Sequence, residues 1–255
     1  TGHGHVSVVD AIAQSCDVFF YDLAYKLGID KIHESLAFFQ FGKKTGIDLS
    51  GELGGILPSR EWKKNNKDEP WYRGETLITG IGQGFMTASP IQLALATAAI
   101  ANKGQFLKPK VMMHSQSKEG EILLEQQKDA FQIPIKDINN WELVIEGMKQ
   151  TIYGKSGTAK RLNNKLNYTL AGKTGTAQVF GLDPEEEYIA ENIDERLRDH
   201  ALFTGFAPIN NPQVAIAIIV ENAGSGSSKA APLARELLDE YFNKNPIELE
   251  KEENI

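Results

Sequence analysis

The chain has 255 residues, 41% of them hydrophobic and 24% charged, which describes a globular protein of one large domain or two small ones. Its formal net charge of −7 argues against nucleic acid as the main partner, because binding a phosphate backbone requires a basic face. No apolar run approaches the ~20 residues of a membrane helix, and a single cysteine excludes an internal disulfide.

The first half of the chain predicts mainly helices. A helical period covers residues 8–27, with a break near Ser15 and an end at Gly28, and a second helix begins at Asp30. Residues 43–84 are rich in turns and contain no long periodic segment. Ser89 and Pro90 then mark a strong helix start, and the helix that follows is apolar almost all round, so it should be buried.

The second half predicts a surface hairpin, one more amphipathic helix, several strands and a last helix. Strands over 168–173 and 176–180 are expected to form a hairpin through Thr174 and Gly175. Helices first and antiparallel strands last indicate an α+β fold with an antiparallel sheet flanked by helices. The segments are 113–137 (hairpin), 141–153 (helix), 181–199 (acidic, partly helical insertion), 202–207 and 214–220 (strands) and 232–242 (helix).

The string Gly-Lys-[Ser/Thr]-Gly-Thr-Ala occurs twice, over residues 154–159 and 172–177. A phosphate-binding P-loop needs a further glycine five positions before the Gly-Lys pair. Lys149 and Asn167 occupy those positions, and no helical period follows Lys173. The repeated string is therefore not a nucleotide-binding loop.

The strings "AGKTGTAQVFG" and "DERLRDHALFTGFAPINNPQVAIAIIVEN" resemble the C-terminal half of class B penicillin-binding proteins, in particular the elongation-specific penicillin-binding protein 2 group of Gram-negative bacteria. "GHGHVSVVDAIAQSCDVFFYDLAYKLGID", "LPSREWK" and "PWYRGETLITGIGQGFMTASPIQLA" extend the resemblance over residues 2–240. It implies a transpeptidase fold like that of penicillin-binding proteins and serine β-lactamases. Residues 1–245 would be that domain, truncated at its N-terminus, and residues 246–255 a charged tail.

The third family motif matches Lys173-Thr174-Gly175, continued by Thr176. The resemblance implies that Lys173 supplies positive charge, that the two threonine hydroxyls hold a substrate carboxylate, and that the Thr176 N–H lies in the oxyanion hole. Gly175 would leave room for a ligand backbone along the strand. The alternative is an ordinary hairpin turn. The upstream copy at Lys155 lacks the strand that should follow, and we interpret it as structural.

The second motif matches Ser15-Cys16-Asp17, and the resemblance implies that Ser15 relays a proton. Asp17 stands where much of the family has asparagine, so it acts either as an anion beside a lysine or as a protonated donor. The alternative is a local cap. The one Ser-x-x-Lys, from Ser115 to Lys118, lies in a polar hairpin without the burial that a nucleophile needs. We therefore expect the nucleophile and its general base upstream of Thr1, and this fragment alone to be inactive.

Cys16 and His3 are candidate ligands of a structural zinc ion that would need two further ligands from an upstream segment. The alternative is a buried cysteine that acts as a small hydrophobic side chain. Catalysis itself should require no cofactor.

The resemblance implies a peptidoglycan D,D-transpeptidase that cross-links stem peptides ending in D-Ala-D-Ala and is acylated by β-lactam antibiotics. It also implies a periplasmic domain, an inner-membrane anchor and a glycan polymerase as partner in the elongation complex. The alternative from another class is a non-catalytic module of the same fold that binds peptidoglycan or a partner. A β-lactamase-type hydrolase is weaker, because no residue clearly provides a deacylating base.

Overall fold

The structure, a computed structural model, describes residues 2–118, 120, 122–125, 129–179 and 193–246. Its order of elements agrees with the predicted α+β fold, with most helices before the main sheet. The helices are α1 (Val8–Gln14), α2 (Asp17–Phe38), α3 (Arg60–Lys67), α4 (Arg73–Gly80), α5 (Pro90–Ala101), α6 (Asn139–Tyr153) and α7 (Ala230–Lys244). The strands are β1 (Gln105–Leu107), β2 (His114–Gln116), β3 (Ile122–Glu125), β4 (Ala130–Gln132), β5 (Ala171–Ala177), β6 (His200–Ala207) and β7 (Val214–Val220).

The main sheet has the strand order β5-β6-β7, with both pairs antiparallel. Helix α7 packs on one face, against Phe203, and helices α5 and α6 pack on the other, against Phe206. Both phenylalanine side chains are fully buried. Because side chains alternate along a strand, β6 contributes to both hydrophobic layers and forms the centre of the core.

The hairpin predicted through Thr174 and Gly175 is wrong. Strand β5 runs without interruption from Ala171 to Ala177, and Lys173 pairs with Thr204 on β6. Threonine and glycine are common in turns, but Thr174 and Gly175 stay extended because every residue of β5 pairs with a residue of β6. The hairpin between β6 and β7 across residues 208–213 is confirmed.

The helix boundaries agree with the sequence at several points. The break near Ser15 separates α1 from α2, and the capping box of Ser89 starts α5. Gly28, with φ of 75° and ψ of 160°, is non-helical and divides Asp17–Phe38 into two helical parts, which agrees with the helix end predicted there. The turn-rich region holds the short helices α3 and α4, which the sequence pattern missed.

The antiparallel pair of β2 with β3 confirms a hairpin in the 113–137 region, and β4 from the same region pairs with β1 outside it. Most of the acidic insertion and of the charged tail lies outside the described residues. From residue 193 onward the described end of the insertion includes a 3₁₀ turn over Glu195–Leu197.

Candidate active site

Ser15 lies at the break between α1 and α2. Its φ and ψ of 52° and 58° are left-handed, which is uncommon for a residue other than glycine and costs on the order of 1 kcal/mol. The hydrogen bond from Cys16 N to the Ala11 carbonyl, at 2.9 Å, closes the last turn of α1 and holds this conformation. Asp17 then begins α2, so its carboxylate lies at the positive end of the helix dipole.

Lys173 on β5 reaches across to this break. Its Nζ donates hydrogen bonds to Ser15 Oγ and, at 2.9 Å, to the carbonyl oxygen of Thr174. Burial lowers the pKa of Lys173 to about 8, and the charge of Asp17 opposes part of that shift. The second and third predicted motifs, far apart in sequence, therefore meet at one hydrogen bond.

The helix packing explains why they meet. Helix α1 lies against α6 at Gly147, where an added Cβ would stand 2.8 Å from the Cβ of Ile12. Helix α6 in turn packs against β5. The end of α1, and with it Ser15, is thus held beside the middle of β5, where Lys173 lies.

These residues line an open cleft of about 380 Å³. All the predicted non-metal site residues lie in its wall, including Gly175 and the exposed Thr176. The lining consists of Ser15, Asp17, Ile81, Thr158, Lys173, Thr174, Gly175, Thr176, Ser225, Gly226 and Ser227.

Thr158 belongs to the upstream copy of the repeated string and was missed as a site residue. Its hydroxyl hydrogen-bonds the Thr174 hydroxyl at 2.8 Å, and its N–H donates to the Ala13 carbonyl at 3.2 Å. Gly157 is buried where a Cβ would overlap backbone carbonyl oxygens of α6. Lys155 is exposed and does not line the cleft. Lys155 and Gly157 therefore fit the predicted structural role of this copy, whereas Thr158 forms part of the cleft wall.

The segment from Ser225 to Ser227 was also missed. It follows β7 and lies over β5 so closely that a Cβ at Gly226 would overlap the carbonyl oxygens of Gly175 and Leu202. The two serine hydroxyls hydrogen-bond each other at 2.9 Å. The signal in the sequence was a string of glycine and serine between the last strand and the last helix, which indicates a loop but not its position over β5.

The predicted zinc ligands lie close together but do not form a metal site by themselves. Cys16 is buried, with 5% of its surface exposed, and it lines a shallow depression together with His3, His5 and Asp22. Among the residues that the structure describes, no three histidine, cysteine or acidic side chains converge in a way that could hold a metal.

Ser115 lies on β2 and is absent from the cleft lining. This agrees with its rejection as a nucleophile.

Comparison with known proteins gives a consistent picture. The Transpeptidase family, described as the penicillin binding protein transpeptidase domain, matches residues 1–239. The peptidoglycan D,D-transpeptidase MrdA of Haemophilus influenzae is 41% identical over 98% of this chain, and that of Escherichia coli K12 is 43% identical over 93%.

Solved structures agree. Pseudomonas aeruginosa PBP2 superposes with a TM-score of 0.79 at 44% identity, covering 93% of this chain and 49% of that one. Helicobacter pylori PBP2, in a complex with MreC, superposes with a TM-score of 0.80 at 31% identity, and the match covers 96% of this chain and 42% of that one. The chain spans only 38% and 37% of the length of the two curated relatives. With the Transpeptidase match over nearly its whole length, the chain belongs to the penicillin-binding protein transpeptidase family.

Proposed function

We propose that residues 1–245 form the transpeptidase domain of a peptidoglycan D,D-transpeptidase that acts in cell elongation, followed by a charged tail. The observation that carries the proposal is the hydrogen bond from Lys173 to Ser15, which couples two family motifs inside one cleft. Relatives that share about two-fifths of its residues bear the name peptidoglycan D,D-transpeptidase.

In the proposed reaction, a serine outside this chain attacks the penultimate D-alanine carbonyl of a stem peptide and releases the terminal D-alanine. The acyl group then passes to an amine of a neighbouring stem peptide. Ser15 relays protons between the catalytic lysine of the absent motif, Lys173 and the departing or entering amine. A β-lactam would acylate the same serine.

The residues of β5 bind the substrate in this proposal. Lys173 and the hydroxyls of Thr174 and Thr176 hold the terminal carboxylate, and the Thr176 N–H stabilises the oxyanion. Gly175 leaves space for the ligand backbone. Asp17 acts as an anion that supports the positive charge of Lys173, in keeping with its position at the start of α2.

A non-catalytic binding module of the same fold is the rival. Such a module would have no need for a partly buried lysine bonded to a serine at a strained helix break. This coupling supports the enzyme.

The decisive experiment uses the full-length protein and a fluorescent penicillin. Lys173→Ala removes the positioned positive charge and should lower the acylation rate by at least ~10²-fold, which is the scale for removing a preorganised electrostatic group. Lys155→Ala is the matched control, because this exposed lysine occupies the same place in the upstream copy of the string. Equal losses in both variants, or no labelling of the wild type, would contradict the proposal.

We also propose a periplasmic location, an inner-membrane anchor outside this chain and a glycan polymerase partner. The H. pylori relative binds MreC, and another relative belongs to a peptidoglycan synthase complex, which supports an assembly of this kind. Within the described ranges, no helix is both long and apolar enough to cross a membrane.

The zinc hypothesis for His3 and Cys16 remains a prediction. A structural zinc ion would fix the start of α2 to the segment before it and add folding free energy. Cys16→Ser in the full-length domain should then lower the melting temperature, a chelator should do the same to the wild type, and elemental analysis should find zinc. Zinc content near zero in carefully prepared protein would end the hypothesis.

A further inference from the structure

Gln83, in the turn after α4, binds the backbone of the ligand-binding strand. Its Nε2 donates to the Thr176 carbonyl oxygen at 2.7 Å, and its Oε1 accepts from the Gln178 N–H at 3.2 Å. One side-chain amide thus uses both its donor and its acceptor on two backbone groups of the same segment.

The Thr176 carbonyl lies on the open edge of β5, and the Gln178 N–H lies one residue beyond the end of that strand. Among the residues that the structure describes, β5 lies at the end of the main sheet and β6 is its only strand neighbour. In a strand, the N–H and C=O of one residue face the same edge and successive residues alternate. Since the Thr176 carbonyl bonds to Gln83, the Thr176 N–H faces the open edge as well. The carboxamide of Gln83 therefore offers this edge one donor and one acceptor, as the N–H and C=O of a single residue in an added strand would.

The turn that carries Gln83 is held in place by Phe85. This ring packs against Trp62 and Trp71, with centroids at 5.2 Å and 6.4 Å. Lys63, fully buried, lies 5.8 Å from the same ring and pairs with the carboxylate of Glu75 on α4. The Phe85 ring packs against two tryptophans beside a buried lysine, and these contacts restrict the movement of the turn. The turn therefore holds Gln83 in a fixed position beside β5.

We propose that Gln83 is a positioning residue that ends the ligand-binding edge of β5 at Thr176 and fixes the orientation of the Thr176 backbone groups. The inference rests on the proposed transpeptidase function, in which the Thr176 N–H stabilises the oxyanion. Gln83 does not line the cleft. It acts on the reaction through the strand.

This role predicts which kinetic constant depends on Gln83. An oxyanion donor contributes most where negative charge develops, which is the acylation step, and much less in the initial complex. Loss of Gln83 should therefore lower the acylation rate constant and leave the dissociation constant of the initial complex nearly unchanged.

The test compares full-length variants with a fluorescent penicillin in stopped flow. Gln83→Met keeps the length and removes both hydrogen bonds, and should lower the acylation rate constant about tenfold, the scale of one to two net hydrogen bonds. Gln83→Glu keeps an acceptor for the Gln178 N–H but no donor for Thr176, and should show a similar loss. Gln178→Ala is the control and should leave the acylation rate constant nearly unchanged, because alanine keeps the backbone N–H that bonds to Gln83.

Several results would overturn the inference. These are an unchanged or faster acylation rate constant in both Gln83 variants, a loss confined to the dissociation constant, or a loss explained by a smaller active fraction and a lower melting temperature. Wild-type protein that takes up no penicillin would instead overturn the proposed function, and this inference with it. Labelled wild type with wild-type kinetics in both variants overturns the inference alone.

Discussion

At the scale of single residues, two residues of the cleft each carry an energetic cost in the folded protein. Ser15 adopts a left-handed backbone conformation, and Lys173 keeps an amine where burial disfavours its charge. Strained backbone and perturbed lysines concentrate at functional sites, because the surrounding fold compensates for their cost. Each state also suggests a variant that separates function from stability.

Ser15→Gly removes the hydroxyl and keeps the backbone. Glycine adopts positive φ without strain, so the melting temperature should stay equal or rise slightly. Acylation of the full-length protein by penicillin should fall by ~10²- to 10⁴-fold, the contribution of a positioned proton-transfer group. Thermal unfolding and labelling kinetics on the same preparation measure both effects. Near-normal acylation would show that the hydroxyl takes no part in the reaction.

The lowered pKa of Lys173 predicts a pH dependence of ligand capture. The side chain loses its charge above about pH 8 in the folded protein, where a free lysine stays charged to about 10.5. Capture of an anionic penicillin should therefore weaken as pH rises through 8. Lys173→Arg, whose charge persists, should move that decline beyond the measured range. A second-order acylation rate that is flat from pH 7 to 9 would contradict the assigned charge role.

The lowered pKa of Lys173 also makes the free energy of unfolding depend on pH. Between about pH 8 and 10.5 the unfolded chain holds the Lys173 proton and the folded protein does not. The contribution of Lys173 to the free energy of unfolding should therefore rise with pH across this window and be flat below it.

At the scale of elements, close backbone approaches set the position of each part of the cleft. Glycines let α1 approach α6 at Gly147 and let the turn of Gly157 lie against α6. Local signals predicted elements well where they were self-contained, as at the capping box of Ser89. They failed at β5, because a Thr-Gly pair takes its extended form from pairing with β6, which local sequence does not encode.

Gly157→Ala should destabilise the domain. The new Cβ would overlap the carbonyl oxygens of Gln150 and Thr151, which cannot move without disturbing the end of α6. Overpacking of this kind costs about 1–3 kcal/mol. Gly74→Ala is the control, since that glycine lies in α4 with open space around it and should gain stability from the better helix former. Urea unfolding of both variants measures the difference, and equal midpoints would contradict the packing argument.

At the scale of the whole molecule, the family motifs and the pairing of the second motif with Lys173 rather than Lys155 were expected from the sequence, and Lys173 but not Lys155 lies in the cleft. The meeting of Ser15 with Lys173 followed only from the resemblance, because no local pattern relates residues so far apart. Thr158 and the Ser225 loop could not be found at all. Their place in the cleft depends on how α6 and β5 pack, and their residue types are ordinary in turns.

The isolated chain should form no stable covalent adduct with a labelled penicillin. The described cleft offers Ser15 as its nearest hydroxyl to Lys173, which the proposed mechanism uses for proton transfer. Ser115 lies on a small hairpin outside the cleft lining. Intact-mass spectrometry after incubation provides the measurement. An added mass on either serine would mean that the nucleophile has been assigned to the wrong part of the protein.

The open edge of β5 has a consequence for drug resistance. If substrate and β-lactam both bind along this edge, main-chain amides and carbonyls recognise both, and no substitution except proline deletes such a group. The side chains of Lys173, Thr174 and Thr176 would hold the carboxylate that both ligands carry. Selection could then separate the two ligands only through side chains that border the edge. The candidates lie on three different segments, at Gln83, Thr158 and the Ser225–Ser227 loop. Resistance substitutions in this domain should therefore cluster around β5 rather than within it.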